Sequence, residues 1–600
     1  MCGILGQISH ESNLPLPDIT LLKHRGPDSF GEWYNTSATI YFGHTRLAIL
    51  DRTDAGNQPM KDSLRRFTII FNGEIYNHLE LRKSLPNFLW QGNSDTETVI
   101  ELFSAFGLQS LYKLKGMFAL AIHDCFDDSV LLIRDRLGIK PLYLQKEAGF
   151  YRFSSEIKAF DDIQASFTKE ALSEYLAFGR MPEYKPILGN IEPIAPGTWV
   201  RITKEKTTEK GILWTPSSWI KKYPIRKIEN IQKVNQLVSK AIEEHLISDV
   251  GVGAFLSGGI DSSIIVLEAG KNLGKRLETF TVGFPQASFD ERVIARKVAK
   301  LAGSQHSEIE VDYSTCQEWV MEAVMNLDLP SIDAINTYIV SKAVSNKGIK
   351  VVLSGLGGDE LFGGYPSFNT VPWLNLLNNL PYAVRSSLVK LLPKQIYEKL
   401  SGINSFSISD LTVARRRFMS TTSLRNLKLT NGTPTIPICS ENLDTIGQIS
   451  WAELHGYTIP MLLRDSDQMS MAVSLEIRVP FLDHELVEYI LKLPDYYKKG
   501  KGIKPLLVSA FQTQLPREVY DRPKQGFSLP MENWLLDPLS DFLHQGILYA
   551  STYLHLKEPL IKLDQFKHTK LHWTRVWSWC VLGYWLNKKH VLIKEKNLIH

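Results

Sequence analysis

The stretch Val252-Gly253-Ala254-Phe255-Leu256-Ser257-Gly258-Gly259-Ile260-Asp261-Ser262-Ser263 carries the first recognisable chemistry. An apolar run stops at Ser-Gly-Gly, and Ile264 to Leu267 continue as an apolar block after the aspartate. The pattern predicts a buried strand, a glycine turn and a helix start. Such a junction aims backbone N–H groups and the positive helix end at one point, which suits a phosphate. The glycines let the backbone approach an anion closely. It is not a Walker loop, because no Gly-x4-Gly-Lys-Ser/Thr string surrounds Gly258. Nor is it a dinucleotide fingerprint, because Leu256 stands where a third glycine is required. Ser-Gly-Gly alone fits a plain strand-to-helix turn equally well.

The longer string Ser257 to Ser263 resembles the pyrophosphate loop of the ATP pyrophosphatases, which cut ATP between its α and β phosphates. The resemblance implies that Ser257, Gly258, Gly259, Asp261, Ser262 and Ser263 hold pyrophosphate. Asp261 would also bind magnesium, a hard cation that takes carboxylate and phosphate oxygens.

The second candidate is Cys2. A small residue at position 2 normally permits removal of Met1, which would give Cys2 both a thiol and a free α-amine. That amine titrates near pH ~8, and it can act as base to its own thiol. A buried small hydrophobe is the commoner fate of a free cysteine. The ordered strings Met1-Cys2-Gly3-Ile4, His24-Arg25-Gly26-Pro27-Asp28, Gly43-His44-Thr45-Arg46-Leu47, Phe71-Asn72-Gly73-Glu74-Ile75-Tyr76-Asn77 and Gly92-Asn93-Ser94-Asp95 favour catalysis. Together with Lys115 to Ala119 and Arg134 to Tyr143, they resemble the glutaminase domain of N-terminal-nucleophile glutamine amidotransferases. Glutamine is a zwitterion with a side-chain amide. Arg46, beside Leu47, can grip its α-carboxylate, and Asp95 with Glu74 can hold its α-ammonium. Cys2 attacks the amide. The resemblance gives the oxyanion hole to the Asn72 side chain and the Gly73 N–H. Arg25 and Asp28 read as a structural pair in a turn.

Both halves in this order resemble glutamine-hydrolysing asparagine synthetases over about the first 530 residues. Arg464 to Met471, Ser474 to Asp483 and Arg522 to Phe527 extend the likeness. It implies that Leu256, Val282, Ser354 and Gly355 line the adenine nucleotide, that Asp261 and Asp359 hold magnesium, and that Lys504 neutralises charge at the phosphates and acyl carbon. The implied partners are glutamine, ATP and a carboxylic acid, aspartate first. ATP adenylates the acid, and ammonia from the Cys2 site attacks the adenylate. One position departs from the family: its second loop usually reads Ser-Gly-Glu-Gly, and here Leu356 replaces the glutamate. Leucine cannot accept a proton. Three readings follow: Glu360 or Glu476 takes over, the acceptor is another acid such as a sugar uronic acid or a peptidyl carboxylate, or synthesis is weak and glutamine hydrolysis predominates.

These residues need two scaffolds. Residues 1–205 show short strands between Gly, Asp and Asn, with a helix over Thr96 to Phe106 capped by Asp95. That predicts layered antiparallel sheets, an αββα sandwich. Residues 206–230, with Pro216 and Pro224, read as a linker. From 231 to 530, helix Ile231–Leu246 is followed by strands at Val252, Thr279–Val282, Ser307–Val311 and Ile349–Leu353, alternating with helices from Asp261, Asp290 and Asn336. The alternation predicts a doubly wound parallel sheet, which binds ligands at its strands' carboxyl ends. Beyond about 370 the pattern is helical, with 531–600 as a helical extension.

At 600 residues the chain exceeds one domain. A net charge of +4 gives no basic stripe for nucleic acid. Cys2, Cys125, Cys316, Cys439 and Cys580 lack C-x-x-C spacing, which excludes a zinc ribbon and points to a reducing compartment. No signal peptide is recognisable, and Val576 to Leu586 is too short to span a bilayer. The expectation is a cytoplasmic enzyme of amino-acid biosynthesis without membrane partners, its assembly left between monomer and homodimer.

Overall fold

The computed structural model describes residues 2–9, 16–160, 167–203, 205, 208–215, 227–283, 291–400, 402–403, 405–438, 443–522, 529–569 and 571–589. Met1, Pro216, Pro224, Cys439, the proposed helix start at Asp290, and Pro523 to Phe527 lie outside them.

The N-terminal half holds two six-stranded antiparallel sheets. The first runs Ile191–Pro193, Tyr143–Lys146, Phe150–Ser154, Gly3–Ser9, Ile40–Arg46, Ser29–Tyr34. The second runs Thr208–Ile212, Thr198–Ile202, Ser129–Arg134, Gly116–Asp124, Phe67–Ile75, Met60–Lys61. The two-residue strand period sorts side chains to opposite faces. Ile4, Ile8 and Ile70 meet between the sheets. Leu5 faces Ile19 and Leu22 outside the first sheet, and Ile69 and Phe71 face Val99 and Phe103 outside the second. The result is the layered sandwich the sequence predicts.

Two details differ. Helix Asp95–Phe106 is capped by Ser94, whose hydroxyl accepts from Thr96 N at 3.1 Å. Asp95 instead turns inward and accepts from Ile75 N at 2.8 Å. The stretch read as a linker contains the edge strand Thr208–Ile212, paired with Thr198–Ile202, and helix Lys227–Glu244 begins within it.

The second half is built on five parallel strands in the order Gln305–Glu310, Glu278–Gly283, Val252–Phe255, Val351–Leu353, Glu476–Arg478. The chain builds outward from Val252–Phe255 on one side, then returns to build on the other. Val252–Phe255 and Val351–Leu353 therefore flank the point where strand order reverses, the place where such sheets open a crevice. Helices Ile260–Leu273 and Gly358–Phe362 start beside it. Helix Thr574–Lys589 buries Trp577, Trp579 and Trp585, and Trp585 Nε1 donates to Asp328 O at 2.7 Å. The apolar tract is thus a core element. Among the described residues no helix is long and apolar enough to cross a membrane.

Candidate active sites

Cys2 immediately precedes the central strand Gly3–Ser9 and is 8% exposed. Its main-chain nitrogen donates to Asn72 Oδ1 at 3.1 Å, and its carbonyl accepts from Arg25 Nε at 3.1 Å. Burial pushes the thiol up, while the Leu47 backbone and the Arg46 charge oppose the shift. Asn72 is fully buried, and its Nδ2 has no hydrogen-bond partner. A buried orphan donor is costly, and it suits a site that must stabilise a developing oxyanion. A side chain at Gly73 would strike Met117 O and Phe118, so only glycine lets this strand close on its neighbour.

Glu74 and Asp95 are both buried, and burial raises both carboxyls, Asp95 to about 6. Arg46 is not an open fork. Its Nη1 donates to Thr53 O and Asn57 Oδ1, each at 2.9 Å, and its Nη2 to the Leu50 and Asp51 carbonyls. Gripping a carboxylate with both nitrogens requires the 50–57 loop to yield. Arg25 and Asp28 do not pair with each other. Arg25 Nη1 reaches Glu156 and Asp467, each at 2.7 Å, while Asp28 pairs with Lys350 at 2.8 Å. Both cross to the second half of the chain, which the turn-like sequence around them does not reveal.

At the sheet reversal, a cavity of about 340 Å³ is lined by Ser257, Gly259, Asp261, Ser262, Ser354, Gly355, Leu356, Asp359 and Glu360, with Tyr365 and Leu462 on its wall. The two loops interlock. A side chain at Gly355 would come within 2.8 Å of Asp261 Cβ, and one at Gly358 would run into the Asp261 carboxylate. Ser257 and Ser262 hydroxyls lie 3.1 Å apart. Lys504, 3% exposed, places its ammonium against Asp261 and 2.6 Å from Asp359. Leu256, Gly258, Ser263 and Val282 are not among the residues that line the cavity. Leu256 and Ser263 are buried beneath it, and Val282 packs against the neighbouring core.

Of the acids that might replace the missing glutamate, Glu360 lines the cavity. Burial raises its carboxyl, which accepts from Tyr365 and Thr458 hydroxyls at 2.8 Å each. Glu476 does not line it; it is fully buried against Arg478 Nε at 2.5 Å. Thr458 and Leu462 come from a π-helical stretch, Leu454–Leu463, that no sequence period announces.

Residues 233–587 match the Asparagine synthase family, and residues 1–213 match the Glutamine amidotransferase domain. The chain belongs to the asparagine synthase family. Among asparagine synthase relatives, the Bacillus subtilis glutamine-hydrolysing asparagine synthetase 1 is 30% identical over 98% of this chain and 96% of its own length. The Bacillus subtilis glutamine-hydrolysing asparagine synthetase 3 is 29% identical over 95% and 94%. The Penicillium rubens amidase chyE is 28% identical over 87% and 85%. The chain is thus an enzyme of the glutamine-hydrolysing asparagine synthetase kind, an amidating ligase that uses ATP.

Proposed function

We propose that the chain adenylates a carboxylic acid with ATP, releases pyrophosphate, and converts the acyl adenylate into an amide with ammonia from glutamine. The observation that carries this reading is Lys504, buried between Asp261 and Asp359 where both strand-end loops converge on one cavity.

At the first site, Cys2 Sγ bonds to the glutamine amide carbon, and the Cys2 α-amine takes the thiol proton once Met1 is removed. Asn72 Nδ2 and the Gly73 N–H receive the oxyanion. Collapse expels ammonia and leaves a thioester, which water hydrolyses to glutamate. Arg46, Leu47, Glu74 and Asp95 orient the amino-acid end. At the second site, the acceptor carboxylate attacks the α-phosphorus and pyrophosphate leaves. Ammonia then bonds to the acyl carbon and AMP leaves. Ser257, Gly259, Asp261 and Ser262 cradle the phosphates from one loop, Gly258 and Ser263 shaping that loop from behind the cavity wall, and Ser354 and Gly355 flank the nucleotide from the other. Lys504 offsets charge building at phosphorus and carbon.

The donor set fits magnesium. Asp261 and Asp359 are hard carboxylates already arranged around a shared cation, and Mg²⁺ takes one or two carboxylates plus phosphate oxygens. When bound, it would neutralise the phosphates and orient the leaving group.

Aspartate is the first acceptor in this reading, because the family's other strings are intact. Leu356 on the cavity wall motivates the second, a different carboxylate such as a sugar uronic acid. Incubation with ATP, magnesium and ammonia separates them. Asparagine and pyrophosphate from aspartate support the first, release with another acid alone moves the assignment, and no release with any acid removes the synthetase reading.

A further inference from the structure

Arg478 sits on the edge strand Glu476–Arg478 of the second half, yet it reaches the glutamine site of the first. It is fully buried. Nε donates to Glu476 Oε1 at 2.5 Å, and Nη1 donates to the carbonyls of His245 and Ile247 at 2.8 and 2.6 Å. Nη2 has no hydrogen-bond partner and lies 3.5 Å from Glu74 Oε1. The Arg478 carbonyl accepts from Ser354 N at 2.8 Å, the first residue of the second phosphate-side loop. One residue therefore touches both sites, through its side chain and its backbone.

Three carboxylates, Glu74, Asp95 and Glu476, are buried around this guanidinium. Buried charges persist only when paired. Burial already favours a proton on Glu74, and Arg478 opposes it while fixing where the carboxylate sits. The substrate's ammonium then supplies the second charge that keeps Glu74 ionised.

We propose that Arg478 is a positioning residue for glutamine, seating the Glu74 carboxylate for the substrate's ammonium and linking it to the nucleotide loop at Ser354. The inference rests on the roles given to Glu74 and Ser354 under the proposed function. A ligand that shifts Ser354 reseats Arg478 and changes the affinity for glutamine, read through its KM, and by linkage glutamine changes nucleotide affinity by the same factor as its own affinity changes.

The test uses the full chain and measures glutaminase kcat and KM with and without ATP, alongside ammonia-dependent pyrophosphate release. In the wild type, ATP should shift the glutamine KM by about fivefold or more. Arg478→Met should raise that KM about tenfold or more and remove its response to ATP, with glutaminase kcat and ammonia-dependent release largely kept. Arg478→Lys should restore part of both. An unchanged KM in Arg478→Met overturns the proposal, as does parallel loss of all activities that Arg478→Lys cannot rescue. If Arg478→Met does not fold, the wild type decides, since a glutamine KM indifferent to ATP overturns the link. A wild type that hydrolyses no glutamine at all instead overturns the proposed function on which the inference stands.

Discussion

The Lys504 ammonium lies 2.6 Å from Asp359 Oδ1 and also pairs with Asp261, so one buried cation joins the two strand-end loops. The pairing raises the lysine further above its ordinary range, against the cost of burial. Lys504 also adopts a left-handed backbone, with φ 52°, at the start of helix Pro505–Phe511. A non-glycine residue in that region usually signals a constrained site.

Lys504→Met should lower ATP-dependent pyrophosphate release by about 10²-fold or more, the scale of losing one electrostatic stabiliser. Glutamine hydrolysis should persist. Equal loss of both activities would mean that Lys504 serves the fold rather than the adenylation site.

Cys2→Ala should abolish glutamine-dependent amidation and spare the ammonia-dependent reaction. Asn72→Ala should lower glutaminase kcat by about 10²- to 10³-fold. Mass spectrometry should find a chain beginning at Cys2. A retained Met1 would leave no α-amine to act as base.

Asp95 makes activity and stability move in opposite directions with pH. Its carboxyl is raised to about 6 in the folded chain, against an unfolded value near ~3.9. The folded state then binds the proton more tightly, so this group's protonated form favours folding below pH ~4, and that contribution is lost as pH rises through about 6. The α-ammonium needs the ionised form. Glutamine KM should therefore rise as pH falls through about 6, a limb that Asp95→Asn should remove. Steady-state kinetics from pH 5 to 8, an interval of ~3 units around that value, read it directly.

Arg25 has two buried carboxylates on one nitrogen, Glu156 from its own half and Asp467 from the other. Arg25→Met leaves Glu156 to His24 and Lys158, and Asp467 to Lys140 at 3.6 Å, and should cost about 3 kcal/mol, the low end for breaking a buried pair. Denaturant titration followed by tryptophan fluorescence measures it. An unchanged midpoint would mean that the pairs contribute nothing net.

The layered sheets and the parallel sheet were legible because strand period and strand–helix alternation are local properties. That Ser257, Gly259, Asp261 and Ser262 end at a strand-end cavity, and that Asn72 comes beside Cys2, follows from strings specific enough to place them. Other features were not legible. Ser94 rather than Asp95 caps its helix, because both residues can cap and only packing turns Asp95 inward. Asp467 for Arg25, Lys350 for Asp28 and Glu74 for Arg478 lie hundreds of residues away, and a short charged string reads the same whether it closes a turn or crosses to the other half of the chain. Leu462 reaches the cavity, and Thr458 reaches Glu360 on its wall, through a π-helical stretch, where helical spacing misplaces side chains. The open fork expected of Arg46 met carbonyls of a loop whose sequence says nothing of its path.

The central claim is nitrogen transfer from glutamine to an ATP-activated carboxylate. Glutamine labelled with ¹⁵N in its amide, incubated with the full chain, ATP, magnesium and a panel of acids that includes aspartate, tests it most directly. The expected product is a ¹⁵N-amide of one acid, formed in step with pyrophosphate and abolished by Cys2→Ala. Glutamate and free labelled ammonia, with no labelled amide and no pyrophosphate from any acid, would contradict it.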